Sequence, residues 1–263
     1  MARADLILAS TVGVFALFVG AKVATRPRSA EATRSVMTSG GGPTSSIATA
    51  STHQQLSGSK TVETQTPAPE RDLAQIRARI AETPGTYMND MLDDLKGSLV
   101  RWPDKRETGL RIWVQSITPV PDWDQRYAQM ARDAFDDWGR DALPIRFDFV
   151  NDSATSDIRI VWREKFAPEQ GSRVGLATRT NDQHGWLVDA QIDVAVHDST
   201  GRTIPPGALA GIVRHEAGHA LGMGHSRDPK TKMFPFEMTP EIAAADRATM
   251  RLLYSLPPGP VRP

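Results

Sequence analysis

The residues with the clearest chemical potential lie in one eleven-residue window, 215–225, which reads HEAGHALGMGH. Two histidines four residues apart share one face of a helix, so His215 and His219 can present imidazole nitrogens to one ion. Gly222 can end such a helix without steric cost, and the chain can then turn and bring His225 to the same ion. Three neutral imidazoles that leave a fourth position open form the ligand set of catalytic zinc.

Glu216 supplies the group that would turn such a metal site into a hydrolytic one. It lies one position round the helix from His215, where its carboxylate can reach a zinc-bound water rather than the metal. This predicts a zinc-dependent endopeptidase with Glu216 as general base. The alternative is a non-catalytic zinc-binding module tethered at the cell surface, which would need the three histidines but not Glu216.

Chance explains this window poorly. From average residue usage, HExxH alone is expected in roughly one chain in a hundred of this size. The added glycine and third histidine lower that frequency to on the order of one in a hundred thousand. Moreover, three of the six histidines of the chain fall in this window. We therefore interpret it as a metal site rather than as unrelated core or surface histidines.

The window and its continuation, SRDPKTKMFP, resemble the signature of the matrixins, the metzincin zinc peptidases that include the matrix metalloproteinases and bacterial relatives. In that pattern the third histidine is followed by Ser, a near Asp-Pro and then Met-aromatic-Pro. The resemblance implies that Met233 is the Met-turn residue beneath the zinc. It also implies an S1′ pocket wall formed by Phe234, Pro235 and Phe236.

The resemblance extends more diffusely over residues 99–257. Arg101-Trp102-Pro103 is similar to the start of the first matrixin strand, and Leu253-Tyr254 to the end of the C-terminal helix. By the same likeness, a polypeptide substrate would lie extended along an edge strand near Gly175, Leu176 and Ala177, where its backbone can form hydrogen bonds irrespective of sequence.

Several family features are missing. The chain has no cysteine, which excludes disulfides and a cysteine-switch propeptide. It also has no His-x-Asp element before the catalytic helix, and His184 and His197 stand isolated in the sequence, so we expect one catalytic Zn²⁺ and no structural zinc. Calcium binding is left open. The acidic residues that could contribute to it are Asp182, Asp189, Asp193 and Asp198.

Hydrophobic periodicity predicts the elements that must position these residues. Leu110, Ile112 and Val114 alternate as in a half-buried strand. Asp122 and Gln125 resemble a capping box that opens a long amphipathic helix. Further strands are predicted around residues 147–149, 158–162, 174–180 and 191–196, followed by a helix after Pro206. This order predicts an α+β fold, an α/β-type sandwich with about five strands in a mixed sheet, a long backing helix, an active-site helix and a C-terminal helix.

The remaining segments predict how the chain is divided around the peptidase domain. Residues 1–26 contain an apolar run typical of a signal peptide or a membrane anchor. Residues 27–69 are rich in Ser, Thr, Gly and Pro and are predicted to be a disordered linker. Residues 70–98 are predicted to be a short helical extension, 99–257 the peptidase domain and 258–263 a tail.

These segments lead to predictions about partners and location. The downstream flank of the apolar run is the more positive, which favours a cytoplasmic position for that side. Short N-terminal apolar segments usually act as export signals, however, so we expect an exported protein, secreted or membrane-anchored through an uncleaved segment. Lysine plus arginine balance aspartate plus glutamate at 31 each, so no nucleic-acid partner is indicated. We expect a monomer.

Overall fold

The computed structural model describes residues 58–62, 67–140, 143–236 and 241–262. The predicted signal or anchor, residues 1–26, and most of the predicted linker lie outside them. The described helices are α1 Leu73–Glu82, α2 Met88–Asp94, α3 Arg126–Gly139, α4 Pro206–Ala220 and α5 Ala244–Ser255. The strands are β1 Gly58–Val62, β2 Ser98–Leu99, β3 Lys105–Val114, β4 Ile145–Val150, β5 Ile158–Arg163, β6 Gly175–Asp182, β7 Leu187–Ala195 and β8 Gly259–Pro260.

The main sheet has the strand order β1-β6-β7-β5-β3-β4. Only β6 and β7 pair antiparallel, and every other neighbouring pair in this sheet is parallel. The five strands β3 to β7 form the mixed sheet that the sequence predicted, and the α+β fold is confirmed. The alternation places Leu110 and Ile112 of β3 in the core, and Ile112 is in register with Ile158 of β5.

Strand β1 differs from the prediction of a disordered linker. Residues 58–62 pair in parallel with residues 178–182 of β6. Strand addition uses backbone groups and needs no hydrophobic alternation, so the polar composition of this segment did not indicate a strand. Among the described residues, β1 therefore pairs with the second part of β6 and leaves residues 175–177 without a strand on that side.

The start of α3 also differs from the prediction. The helix begins at Arg126, and its N-cap residue Gln125 makes no side-chain cap, so the predicted capping box is wrong. Asp122 has φ +57°, and its carboxylate accepts a hydrogen bond from His197 Nε2 at 2.8 Å. His197 is therefore not isolated but paired. The same carboxylate accepts a hydrogen bond from the Thr203 hydroxyl at 3.1 Å, so partners from a distant segment engage it instead of the helix terminus.

Helices α3 and α4 pack side by side against the sheet. Helix α3 contacts β3 and β4, where Phe135 and Phe147 meet edge to face with ring centroids 5.5 Å apart. Helix α4 contacts β6 and β7. The two helices are joined by Trp138, whose Nε1 donates to the backbone oxygen of Arg214 at 2.9 Å. The fold thus places α4, which carries the HExxH residues, directly against the strand that begins at Gly175.

The predicted extension and tail are both ordered in their described parts. Strand β8 of the tail pairs antiparallel with β2. Arg77 of α1 donates to the backbone oxygen of Val261 at 2.8 Å, and Ile76 and Ile80 of the same helix are buried. No helix among the described residues is long and apolar enough to cross a membrane.

The end of α4 depends on side chains from distant segments. A helix leaves its last carbonyl oxygens without partners inside the helix. Here Trp102 Nε1 donates to Ala220 O at 2.9 Å, and the Tyr254 hydroxyl donates to Leu221 O at 2.8 Å. Both donors are buried, so these bonds fix the end of the helix away from solvent.

Replacement of Trp102 by phenylalanine should destabilise the protein by about 1–3 kcal/mol, because Ala220 O would lose its buried donor. The matched control is Trp123→Phe. The buried Nε1 of Trp123 has no hydrogen-bond partner in the described part of the chain, so its loss should cost much less. Urea denaturation of both variants tests this, and equal costs for the two substitutions would contradict it.

Candidate active site

Three imidazoles converge at the end of α4. His215 and His219 lie on one helical face and are buried, and their Nε2 atoms are 3.1 Å apart. Helix α4 ends before Gly222, whose φ of +106° turns the chain. This turn brings His225 Nε2 to 3.2 Å from His219 Nε2. Within the described residues, these three histidines are the group whose nitrogen atoms lie close enough to hold one metal ion.

The opposite side of each ring contacts an oxygen that can only accept a hydrogen bond. The Nδ1–oxygen distances are 2.8 Å for His215, 2.9 Å for His219 and 3.1 Å for His225. The accepting groups are the backbone oxygens of Lys232 and Met223 and the carboxylate of Asp94. Such a bond requires the proton on Nδ1, which leaves the Nε2 lone pair of every ring available to a metal.

The protonation and spacing of these nitrogens fit zinc. Burial, with repulsion from His225, lowers the pKa of His215 to about 3 and that of His219 well below its ordinary value, so both rings are neutral at neutral pH. Tetrahedral zinc with bonds of about 2.0–2.1 Å separates its ligand nitrogens by roughly 3.3 Å. The observed separations of 3.1 and 3.2 Å lie close to this value.

The Glu216 carboxylate lies against the first residue of β6. A Cβ atom added to Gly175 would stand 2.5 Å from Glu216 Oε1 and 2.8 Å from its Cγ. Any larger residue at position 175 would therefore displace Glu216 or the strand. Leu176 and Ala177 follow in the same strand, Ala177 fully buried and Leu176 partly exposed. The structure thus brings the predicted base beside the strand on which the sequence predicted substrate binding.

Met233 packs against helix α4 at Gly218, which lies between His215 and His219 in the sequence. It is fully buried, and a Cβ atom added to Gly218 would lie 2.5 Å from Met233 Sδ and 2.9 Å from Trp138 Cζ2. Gly218 therefore lets the methionine approach the helix between the two histidines. Met233 O accepts a hydrogen bond from Ser226 N at 2.9 Å, which closes the loop after His225.

The turn that carries Met233 is held by the buried carboxylate of Asp246, at the start of α5. Asp246 accepts hydrogen bonds from Lys232 N at 2.8 Å, Met233 N at 3.3 Å and the Tyr87 hydroxyl at 2.7 Å. Lys232 is the residue whose backbone oxygen orients His215. The sequence analysis did not identify Asp246 as a site residue, because its role depends on a turn fourteen residues away.

Arg179 is a second residue that the sequence analysis missed. It is fully buried in β6, and its Nη1 donates to His219 O at 2.8 Å and to Met223 O at 3.1 Å. Burial lowers its pKa to about 10, so it remains a cation at neutral pH beside the C-terminal end of α4, where positive charge is favourable. The sequence did hold one signal of this role. Arg179 lies two residues after Ala177, so both face the same buried side of the strand, where a charged residue is unusual.

The residues of the predicted S1′ wall follow Met233 in a turn. Phe234 is partly exposed and Phe236 is 41% exposed, and their rings meet edge to face with centroids 5.6 Å apart. Pro235 between them is exposed.

The acidic residues considered for calcium all have protein partners. Asp189 pairs with Arg159, and Asp193 with Arg163. The remaining two, Asp182 and Asp198, accept hydrogen bonds from backbone amides within their own turns.

The third histidine reaches the other two through the turn at Gly222, and the buried Met233 packs against the helix that carries the first two. The Matrixin family profile matches residues 101–255, and the chain belongs to that family. One similar protein is the metalloendoproteinase 1-MMP of Arabidopsis thaliana, 29% identical over 122 residues. That match covers 40% of this chain and 30% of the plant protein, so the chain spans less than a third of this relative.

Gly222→Ala should destabilise the metal-free protein by about 3 kcal/mol or more, because the residue needs a positive φ and its new Cβ would collide with the backbone oxygen of Val100. Gly85→Ala is the matched control. Gly85 has φ +73° with no atom within 4 Å of the added Cβ, so it should cost only about 1–2 kcal/mol of conformational strain. Denaturant titration measures both. Equal losses of stability in the two variants would show that the backbone oxygen of Val100 does not restrict the residue at position 222.

Proposed function

We propose that this protein is a zinc-dependent endopeptidase in which Glu216 is the general base. The observation that carries the proposal is the joint placement of two features. Three imidazoles direct their Nε2 atoms to one point, and the carboxylate of Glu216 lies between that helix and the first residue of β6. Membership of the matrixin family supports a zinc metalloendopeptidase in general terms.

His215, His219 and His225 would hold the zinc ion through their Nε2 atoms. When bound, zinc supplies a Lewis acid that acidifies water and polarises the scissile carbonyl. Glu216 accepts a proton from the attacking water and delivers it to the departing amine. The burial of this carboxylate beside Gly175 keeps it close to a substrate strand and limits its motion.

Substrate binding is proposed along residues 175–177 of β6. These residues pair with β7 on one side, and within the described ranges no strand pairs with them on the other, where an extended peptide could add through its backbone. Phe234, Pro235 and Phe236 are proposed as the wall that contacts the side chain after the scissile bond. Two aromatic rings there favour an apolar P1′ residue.

The decisive experiment compares the wild type with Glu216→Gln, which keeps the shape of the side chain and removes the base. We expect the variant to bind zinc and to lose about 10²–10⁴-fold in kcat/KM on a quenched peptide library. Removal of zinc with a chelator should abolish cleavage by the wild type, and zinc should restore it. The preferred P1′ residue is obtained from the same library.

The matched control is Glu107→Gln, the same change at an exposed position of β3, which should leave kcat/KM unchanged. A zinc-binding module without turnover would bind zinc in all three proteins and cleave nothing. If the wild type binds zinc yet cleaves no peptide that Glu216→Gln spares, the peptidase proposal fails.

We further propose that the protein is exported, on the evidence of the apolar run at residues 6–21. Fractionation of the source cells should place the peptidase domain outside the cytoplasm. Mass spectrometry of its N-terminus then separates a cleaved signal from an anchor, because an anchored protein recovered from membranes retains residues 1–21. Recovery of the intact chain from the cytoplasm alone would contradict export.

A further inference from the structure

The helical extension before the peptidase domain contacts the residues that follow the active-site helix. Helix α2 presents three aspartates at positions i, i+3 and i+4, which lie on one helical face. Asp90 accepts from Arg227 N at 3.0 Å, and Asp93 accepts from Arg227 Nη2 at 2.8 Å. Asp94, the last residue of α2, contacts His225 itself.

Asp94 holds His225 by both of its carboxylate oxygens. Oδ2 accepts from the backbone N of His225 at 2.9 Å, and Oδ1 lies 3.1 Å from its Nδ1. Because both oxygens only accept, Nδ1 must carry the proton, and the lone pair of Nε2 is left facing His219. The contact therefore determines both the orientation of the ring and its tautomer.

His225 needs such a partner more than the other two histidines do. His215 and His219 are fixed on a regular helix, and their Nδ1 atoms bond backbone oxygens near them in the same domain. His225 lies in a turn, where no helix sets its direction. Its partner is supplied from 131 residues earlier in the chain.

The approach of α2 to this turn is close and is set by packing. A Cβ atom added to Gly224 would lie 3.0 Å from Asp94 Oδ2 and 2.9 Å from Met91 Cγ, so the glycine makes room for the helix. Met88, Met91 and Leu92 of α2 are buried in the core. The position of Asp94 therefore depends on the hydrophobic core and not on the histidine that it contacts.

We propose that Asp94 is a positioning residue for the third zinc ligand, so that the extension at residues 73–94 is part of the metal site. This inference rests on the proposed zinc site and deepens it. A carboxylate on the far nitrogen of a metal-ligating histidine fixes the ring and increases its basicity, and loss of such partners commonly weakens metal binding by about 10–100-fold.

Asp94→Asn in the full-length chain is the sharpest test. One oxygen becomes an amide group, which must face either the backbone N–H of His225 or its Nδ1. The first arrangement opposes two donors, and the second requires the proton on Nε2, where the metal would bind. We expect the zinc dissociation constant, measured by competition with a chromophoric chelator, to rise about 10–100-fold.

A spectroscopic measurement separates positioning from general stability. In the metal-free protein, the ¹⁵N chemical shifts of the His225 ring should report the Nδ1–H tautomer in the wild type. In Asp94→Asn that population should fall, while circular dichroism shows an intact fold. Asp94→Ala, which removes the carboxylate without adding an amide, should also weaken zinc binding.

Asp93→Asn is the matched control, one residue earlier on the same helix. The carboxylate of Asp93 pairs with Arg227 and Arg262 rather than with His225, and it is more exposed. Its loss should leave the zinc dissociation constant within about threefold of the wild type.

If both Asp94 variants bind zinc as tightly as the wild type and keep the wild-type His225 tautomer, the proposal is overturned. This failure is distinct from a failure of the proposed function. A wild type that binds zinc but cleaves no peptide would remove the peptidase assignment, whereas weaker zinc binding by the Asp94 variants would still support the positioning role.

Discussion

The site depends on one constraint, which is that three imidazole Nε2 atoms must converge, with those of His215 and His225 at 3.1 and 3.2 Å from that of His219, while each Nδ1 keeps its proton. Helical spacing satisfies this for His215 and His219, because residues four apart share a face. Helical spacing cannot satisfy this constraint for His225, which lies beyond the end of the helix. That ring needs a helix end, a sharp turn and an acceptor from outside the helix, and most of the contacts around the site serve these requirements.

The two backbone acceptors are themselves held by second, buried interactions. The oxygen of Lys232 is placed by Asp246, which accepts from the amides of the turn. The oxygen of Met223 is shared between the imidazole of His219 and the guanidinium of Arg179. Buried polar groups are costly when they lack partners, so each such network specifies a single arrangement of the turn.

Glycines allow these segments to come close enough. Gly175 admits the Glu216 carboxylate, Gly218 admits the Met233 side chain, and Gly224 admits α2. At each of these positions an added Cβ atom would stand at or within 3.0 Å of its neighbour, closer than real side chains approach. Preorganisation of the site thus comes from close backbone packing around α4 as well as from the polar networks.

The sequence by itself determined the features that depend on local spacing. These include the strand alternation of β3, the helical face of His215 and His219, the turn at Gly222 and the position of the Glu216 carboxylate next to His215. Hydrophobic periodicity and turn-forming residues are local properties of the sequence, so they can be interpreted without knowledge of the fold. The resemblance to matrixins extended this interpretation to Met233 and the C-terminal helix.

Only the tertiary structure decided which distant groups support the site. Asp94, Arg179 and Asp246 act on residues between 13 and 131 positions away. Likewise, Asp122 pairs with His197 instead of capping a helix, and β1 joins the sheet from a segment with no periodicity. The physical reason is that a pattern determines the face on which a side chain lies, whereas its partner is determined by how other segments pack against that face.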